Sequence, residues 1–291
     1  MKNDRRDFLK KMLIAGAGIT MIDPSSFYGM GTKPKMQLGL VTYLWGRDWD
    51  LPTLIANLEK TGYMGVELRT EHAHGVETSL SAKERLEVKK RFKDSPVTCL
   101  GYGSNFEYHS PDPDEVKKNI EGTKEYIKLC KDIGATGIKV KPNGMPEGIP
   151  EEQTIAQIAK SFNEVGKYAS DMGQLIRVEV HGKVTEQIPY MKRIFDQVTE
   201  DSVKICWNCN EQDLWEPGLE ANFNSVKKWF GDTVHIREMN VGDYPYQQLF
   251  NLFGEMNYDG WILLEARTKP ADRIAALNEQ REIFNKMIAN I

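Results

Sequence analysis

The chain has 291 residues, of which 40% are hydrophobic and 27% are charged, so it can bury a large core and is not a disordered protein. Its net charge of −4 argues against a nucleic-acid partner, because duplex-binding proteins normally present a basic face. The four cysteines are too few and too scattered to form a disulfide scaffold.

Residues 1–31 have the composition of an export signal. Basic residues crowd positions 1–12, and the apolar stretch Met12–Ile22 that follows is shorter than the roughly 20 residues needed to cross a bilayer. The run Arg5-Arg6-Asp7-Phe8-Leu9-Lys10 resembles a twin-arginine signal. We therefore expect export to the periplasm, with no stable membrane span once the signal is removed. An ordinary amphipathic N-terminal helix is the alternative.

From residue 32 onward, short apolar or β-branched runs alternate with segments of helical period. The predicted strands are, in chain order, Met36–Leu44, Met64–Arg69, Val97–Tyr102, Gly137–Lys141, Leu175–His181, Val203–Cys209, Thr233–Met239 and Trp261–Ala266. The predicted helices are Leu51–Thr61, Ala82–Lys93, Asp114–Ile133, Glu152–Met172, Thr185–Val198, Leu219–Phe230, Pro245–Met256 and Ala271–Met287. Eight strand–helix pairs without a long linker predict one α/β domain over residues 32–291, a (β/α)8 TIM barrel. A doubly wound sheet is a weaker alternative, because no glycine-rich phosphate loop follows the first strand.

Ionisable side chains cluster at the ends of the predicted strands, where the active sites of such barrels form. They are Glu67, Arg69 and His74 in and after the second strand, Lys139 and Lys141 in the fourth, Glu179 and His181 in the fifth, His235 and Glu238 in the seventh, and Glu265 and Arg267 in the eighth. Carboxylate, imidazole and ammonium groups are the types that acid–base chemistry and metal binding require. The sequence therefore predicts an active site at this end of the barrel.

Four motifs lie at these strand ends: Gly65-Val66-Glu67-Leu68, Val178-Glu179-Val180-His181, Val234-His235-Ile236 and Leu264-Glu265. Together they resemble the xylose-isomerase-like barrels of the sugar phosphate isomerase/epimerase superfamily, over residues 36–287. In members that resemble ketose 3-epimerases, a divalent cation is held by Glu, Asp, His and Glu on strands five to eight. The resemblance implies that the metal ligands here are Glu179, Asn208, His235 and Glu265.

Asn208 stands where the resemblance implies an aspartate. An amide oxygen can bind a cation but carries no charge, so the ligand set loses one negative charge and should hold the metal less tightly. Carboxylate and imidazole ligands suit Mn²⁺, Mg²⁺, Co²⁺ or Zn²⁺. Two further possibilities are that Asp213 completes the site, or that the metal is lost and a lysine ammonium supplies its charge.

The resemblance also implies a reaction, in which Glu179 and Glu265 remove and return the proton beside the carbonyl of a keto-sugar or related polyol ketone. A bound metal would stabilise the enediolate, and the product would be an epimer or an aldose–ketose isomer. The residues expected to bind the substrate are His74, Lys139, Lys141, His181, Glu238, Arg69 and Arg267. The expected partner is a small sugar or sugar derivative, and a homo-oligomer stays open.

Two other functions stay open on this evidence. A non-enzymatic, exported carbohydrate-binding barrel is favoured by Asn208 and opposed by the pair Glu179 and Glu265. A lyase acting on keto-glycosides could share the same enediolate. The endonuclease branch of the superfamily is disfavoured, since the chain is acidic and has only five histidines. Glu67 and Arg69 could simply form an ion pair inside the barrel.

Overall fold

The computed structural model describes residues 36–291, so the export signal predicted at residues 1–31 lies outside the described residues. Eight parallel strands are described: β1 (Gln37–Val41), β2 (Gly65–Arg69), β3 (Thr98–Glu107), β4 (Gly137–Lys141), β5 (Leu175–Glu179), β6 (Val203–Cys206), β7 (Thr233–Ile236) and β8 (Trp261–Leu264). They alternate with α1 (Leu51–Thr61), α2 (Ala82–Lys93), α3 (Pro113–Ile133), α4 (Glu151–Asp171), α5 (Ile188–Phe195), α6 (Leu219–Val226), α7 (Tyr246–Glu255) and α8 (Arg273–Ala289). The predicted (β/α)8 barrel is confirmed.

Helix ends follow signals that are visible in the sequence. Asp50 accepts a hydrogen bond from the backbone N–H of Thr53 at the start of α1, and Gly62 ends that helix in the left-handed conformation with a φ of 79°. Ser81 and Glu84 form a reciprocal capping box at the start of α2. None of the helices within residues 36–291 is long and apolar enough to cross a bilayer.

The strands pair in the order β6-β5-β4-β3-β2-β1-β8-β7, and only β6 and β7 lack a continuous ladder between them. Two isolated bridges lie at this junction: one joins Ile205 of β6 to Phe230 before β7, and the other joins Asn208 after β6 to His235 of β7. The backbone N–H of His235 donates to the carbonyl of Trp207 at 2.8 Å. We call this sparse junction the β6–β7 seam, and it leaves the barrel nearly closed.

The two faces of each strand bury different side chains. Val66 and Leu68 of β2 pack in the main apolar core, whereas Glu67 between them is fully buried on the other face. The same alternation buries Lys139, Arg177, Glu179 and His235 on the faces opposite their apolar neighbours. Because successive residues of a strand point to opposite faces, these charged groups share the barrel interior.

Several predicted boundaries are wrong, and most err at the carboxyl ends of strands. The predicted fifth to eighth strands continue two or three residues too far, although single backbone hydrogen bonds persist there, such as the one from Glu265 N–H to the carbonyl of Ile236 at 2.7 Å. Conversely, β3 extends to Glu107 instead of stopping at Tyr102. The predicted helix Leu219–Phe230 divides into α6 and a short 3-10 turn, Lys227–Trp229.

Candidate active site

The strand ends bring three of the predicted metal ligands together. Glu179 is the last residue of β5, His235 lies in β7, and Glu265 directly follows β8. All three are buried, and one ligand atom from each lies within 4.8 Å of the others. Asn208 follows β6 and donates from its amide nitrogen to Glu179 Oε1 at 3.1 Å. The four positions implied by the family resemblance therefore meet in one place.

Glu179 is held tightly from two sides. Its Oε2 accepts a hydrogen bond from Lys139 Nζ at 2.5 Å, and Lys139 also donates to the carbonyl of Ser104 at 3.2 Å. Burial alone would raise the pKa of Glu179, but the charges of Lys139 and His235 hold it well below its usual value. Glu179 is therefore an ionised and strongly oriented carboxylate.

His235 lies between two buried carboxylates. Its Nε2 is 3.3 Å from Glu67 Oε1, while its Nδ1 is 3.8 Å from Glu179 Oε1. That Nδ1 atom has no hydrogen-bond partner among residues 36–291. Burial opposes protonation of His235, but the sulfur of Cys206 and the carboxylate of Glu67 raise its pKa well above the ordinary value. Glu67 thus pairs with His235 and not with Arg69, the partner that the sequence left open.

Glu265 is the less constrained of the two candidate bases. Its side chain is only 6% exposed, yet its carboxylate accepts no hydrogen bond from the described residues. Arg69 Nη1 lies 3.8 Å from Oε1, and Arg267 Nη2 lies 3.7 Å from Oε2. Guanidinium groups at these distances attract the carboxylate without fixing its orientation.

Other predicted substrate contacts surround this centre. Lys141 Nζ and Arg69 Nη2 both donate to Asn105 Oδ1, at 3.2 and 3.0 Å. Burial lowers the pKa of Lys141 to about 8 and that of His181 to about 4, so His181 is neutral at pH 7. Since His181 Nδ1 lies 2.6 Å from the oxygen of Asn143, that nitrogen carries the proton and the other ring nitrogen is an acceptor.

Two predicted substrate contacts, His74 and Glu238, are placed differently. His74 Nε2 donates to the carbonyl of Arg69 at 2.8 Å, and its Nδ1 accepts from the backbone N–H of Val76 at 3.1 Å. Glu238 accepts backbone hydrogen bonds at 3.0 and 2.7 Å from the first two residues of the loop after Ala266. These side-chain atoms form hydrogen bonds to the backbone of nearby loops. The placement of both residues therefore does not support a substrate contact.

Asp213 does not take the place of the missing aspartate. Its Oδ2 accepts hydrogen bonds from the Tyr244 hydroxyl at 2.8 Å and from the backbone of Asn210 at 2.9 Å. Burial raises the pKa of Asp213 to about 8, so the group is mainly protonated at neutral pH. A neutral carboxyl turned toward Tyr244 is a poor substitute for a metal ligand at Asn208.

The donor set fits a divalent ion. The unpartnered Nδ1 of His235 and the carboxylates of Glu179 and Glu265 supply one borderline and two hard donors. Three protein ligands that leave positions open to a substrate are typical of catalytic metal sites. Lys139 bonds to Oε2 of Glu179, whereas Oε1, which accepts from Asn208, lies on the side of His235.

The fold and site define a class of protein: a parallel eight-stranded barrel with a carboxylate–imidazole centre at the carboxyl ends of β5, β7 and β8. Residues 55–287 match the family of xylose isomerase-like TIM barrels, and the chain belongs to this family. This confirms the family resemblance inferred from the strand-end motifs.

Individual relatives are distant. Inosose dehydratase of Histophilus somni is 18% identical over 283 residues, covering 81% of this chain and 92% of that protein. The structure of 3-keto-D-glucoside 4-epimerase YcjR from E. coli has a TM-score of 0.72 at 14% identity, covering 87% of this chain and all of that one. The zinc-bound IolI protein has a TM-score of 0.72 at 15% identity, covering 88% and 99%. At such identities the structural matches show the shared fold.

Proposed function

We propose that this protein is a sugar epimerase or isomerase that acts on a keto-sugar or related polyol ketone. The observation that carries this proposal is the meeting of Glu179, His235 and Glu265 at one end of the barrel, with one ligand atom of each within 4.8 Å of the others. Two carboxylates beside one reacting carbon suit the removal and return of a proton. Similarity to sugar epimerases and to inosose dehydratase supports the same substrate class.

The two glutamates have different parts in this reaction. Glu265 takes the proton next to the carbonyl, because its carboxylate is not engaged in hydrogen bonds with the described residues. The pair Glu179 and Lys139 returns a proton to the other side of the carbon, and the ammonium keeps Glu179 oriented. Return to the same carbon gives an epimer, and return to the neighbouring carbon gives an isomer.

The surrounding residues bind and polarise the sugar. Lys141 and Arg69 donate hydrogen bonds to its oxygens, and neutral His181 accepts one from a hydroxyl. A divalent ion held by Glu179, His235 and Glu265 would stabilise the negative charge that develops on the carbonyl oxygen. We propose Mn²⁺, Mg²⁺, Co²⁺ or Zn²⁺, since each accepts oxygen and imidazole ligands.

One observation favours a lyase as the second candidate. The pKa of Lys141 is lowered to about 8 by burial and by the charge of Lys139, so its ammonium can give up a proton near neutral pH. Such a group could protonate a leaving oxygen after the same first proton removal. The products distinguish the two functions, because a lyase releases water or an alcohol and an epimerase keeps every atom.

The test is proton exchange in D₂O. Protein loaded with Mn²⁺ is incubated with D-fructose, D-tagatose and an inosose, and deuterium beside the carbonyl is followed by NMR. We expect exchange into at least one ketone, together with an epimer or isomer. Exchange with loss of a water or alcohol would establish the lyase instead. Binding of a sugar without any exchange would overturn the enzyme and leave the carbohydrate-binding barrel.

We further propose that this reaction takes place outside the cytoplasm, on the strength of the signal at residues 1–31. A fusion of these residues to a reporter that folds in the cytoplasm should be exported. Replacing both Arg5 and Arg6 with lysine should stop that export. Unchanged export in this variant would contradict the twin-arginine route, and no export of the original fusion would contradict the localisation.

A further inference from the structure

Glu67 is a buried carboxylate that the reaction proposed above does not use. It lies in the middle of β2, is fully buried, and points into the barrel between outward-facing Val66 and Leu68. A methyl group at Gly103 would overlap Glu67 Oε1, so the neighbouring strand leaves room for this carboxylate. A buried charge is costly unless it is paired, so Glu67 needs a specific partner.

That partner is His235. Both oxygens of Glu67 face His235 Nε2, at 3.3 and 3.4 Å. The charge of Lys139 also lowers the pKa of Glu67. Lys139 is not its hydrogen-bond partner, however, because it donates to Ser104 and Glu179 instead. Because an ionised carboxylate only accepts hydrogen bonds, Nε2 must carry a proton.

The consequence falls on the other ring nitrogen. His235 Nδ1 lies 3.8 Å from Glu179 Oε1 and has no hydrogen-bond partner in the described part of the chain. With one proton fixed on Nε2, the proton that a metal ion would displace is the one on Nδ1, so the lone pair of Nδ1 would then face the centre formed by Glu179 and Glu265. A carboxylate on the far nitrogen also makes a ligating histidine more basic.

We propose that Glu67 is a positioning residue, which fixes the proton of His235 on Nε2 and so aims Nδ1 at a metal bound between Glu179 and Glu265. The metal itself rests on the proposed function, whereas the position of the proton does not. Glu67 acts through His235 and makes no contact with the substrate.

The experiment uses protein labelled with ¹⁵N-histidine, with and without Zn²⁺, and reads the two ring nitrogens of His235 by NMR. We expect Nε2 to carry a proton in both states, and Nδ1 to shift when Zn²⁺ binds. In Glu67→Leu the fixed proton on Nε2 should be lost, and Zn²⁺ affinity measured by calorimetry should fall about 10- to 100-fold. Glu67→Gln, which keeps an oxygen acceptor, should lose less.

The proposal is overturned if His235 carries its proton on Nδ1 alone, or if Glu67→Leu leaves both the ring signals and the Zn²⁺ affinity unchanged. Asp213→Asn is the matched control, since Asp213 is equally buried but bonds to Tyr244 and Asn210; it should leave both readouts unchanged. If Glu67→Leu does not fold, Gly103→Ala keeps the charge of Glu67, and its methyl group would meet both Glu67 Oε1 and Arg69 Cδ; it should therefore disturb the Nε2 signal of His235 as well as weaken Zn²⁺ binding.

These results separate the two proposals. Wild-type protein that exchanges no deuterium into any ketone would refute the epimerase, yet a proton on Nε2 that depends on Glu67 would still support the positioning role. If the wild type binds no Zn²⁺, the ring signals of the metal-free protein decide the tautomer, and the aiming of Nδ1 at a metal is refuted.

Discussion

Arg177 and Glu179 lie two residues apart on the same face of β5, and both are fully buried, yet their surroundings differ. Every nitrogen of the Arg177 guanidinium donates a hydrogen bond at 2.7 Å. The acceptors are both carboxylate oxygens of Asp232, the carbonyl of Leu100 and the hydroxyl of Thr136. At this end of the barrel interior, four of the five N–H donors of Arg177 are engaged in hydrogen bonds.

Around Glu179 the pairing is incomplete. His235 Nδ1 has no partner within residues 36–291, and Glu265 next to it accepts no hydrogen bond there. A buried network that is fully paired stabilises one structure, whereas buried groups left unpaired are costly and need a reason. We infer that the first network holds the barrel together, and that the second is kept open for a ligand.

The largest expected effect separates activity from stability. Glu265→Gln should slow deuterium exchange about 10²- to 10⁴-fold, because it removes the base. The free energy of unfolding should change by less than about 1 kcal/mol, since the carboxylate makes no hydrogen bond to lose. Glu220→Gln, at an exposed position of α6, is the control and should change neither quantity. Wild-type exchange in a Glu179→Gln, Glu265→Gln double variant would refute the two-base reaction.

The reverse outcome is expected at the other network. Arg177→Met leaves Asp232 and a buried carbonyl without their donor, and should lower the free energy of unfolding by about 3 kcal/mol. Asp232 is 36% exposed, so water offsets part of the loss. Urea unfolding measures this change, and calorimetry should find metal affinity unaltered. A loss below 1 kcal/mol would contradict the structural role.

Asp213 is a buried acid outside the proposed metal site, and its Oδ1 has no hydrogen-bond partner among the described residues. It therefore serves as a comparison for the incompletely paired groups around Glu179. Its pKa rises from 3.8 to about 8 on burial, so folding favours the protonated acid. Its contribution to stability is complete below about pH 4 and is lost as pH rises toward 8. Urea unfolding at pH 5 and pH 8 should show the wild type losing on the order of 3 to 4 kcal/mol more than Asp213→Asn. Equal losses would contradict the raised pKa.

The smallest predicted effect concerns Asn208. Asn208→Asp restores a negative charge beside Glu179, so Mn²⁺ should bind about tenfold more tightly. Without metal, the same variant should be less stable than the wild type, because two carboxylates then face each other. Calorimetry and urea unfolding measure these effects, with Asn224→Asp at an exposed position of α6 as the control for added charge. Unchanged or weaker Mn²⁺ binding would show that Asn208 lies outside the metal site.

The fold could be predicted because each strand–helix unit carries its own local signals. Helix starts such as Asp50 and stops such as Gly62 are encoded within a few residues, and so is the apolar period of each element. The predicted carboxyl ends of several strands are wrong, because buried apolar residues such as Val180 continue beyond the last residue of β5. Strand length depends on pairing with neighbours distant in sequence.

The sequence predicted the charged residues at the centre of the candidate site. It did not predict which residues hold them in place. Glu179, His235 and Glu265 could be found, since each interrupts or ends an apolar strand. His74 and Glu238 have the same residue types, but their hydrogen bonds go to backbone atoms that only the folded chain brings near. Glu67 carried the same signal as Glu179, a carboxylate between apolar neighbours, yet its partner lies 168 residues further along.

The candidate site lies across the β6–β7 seam, so a ligand bound there would also affect the stability of the barrel. Asn208 and His235 lie on opposite sides of the junction at which the barrel is joined by isolated bridges. A ligand that contacts both residues would link the two sides of the junction that has the fewest inter-strand hydrogen bonds. Occupancy would then slow the local opening that exposes the amide of His235 to hydrogen exchange. Binding at the proposed active site would therefore also stabilise the closure of the barrel at this seam.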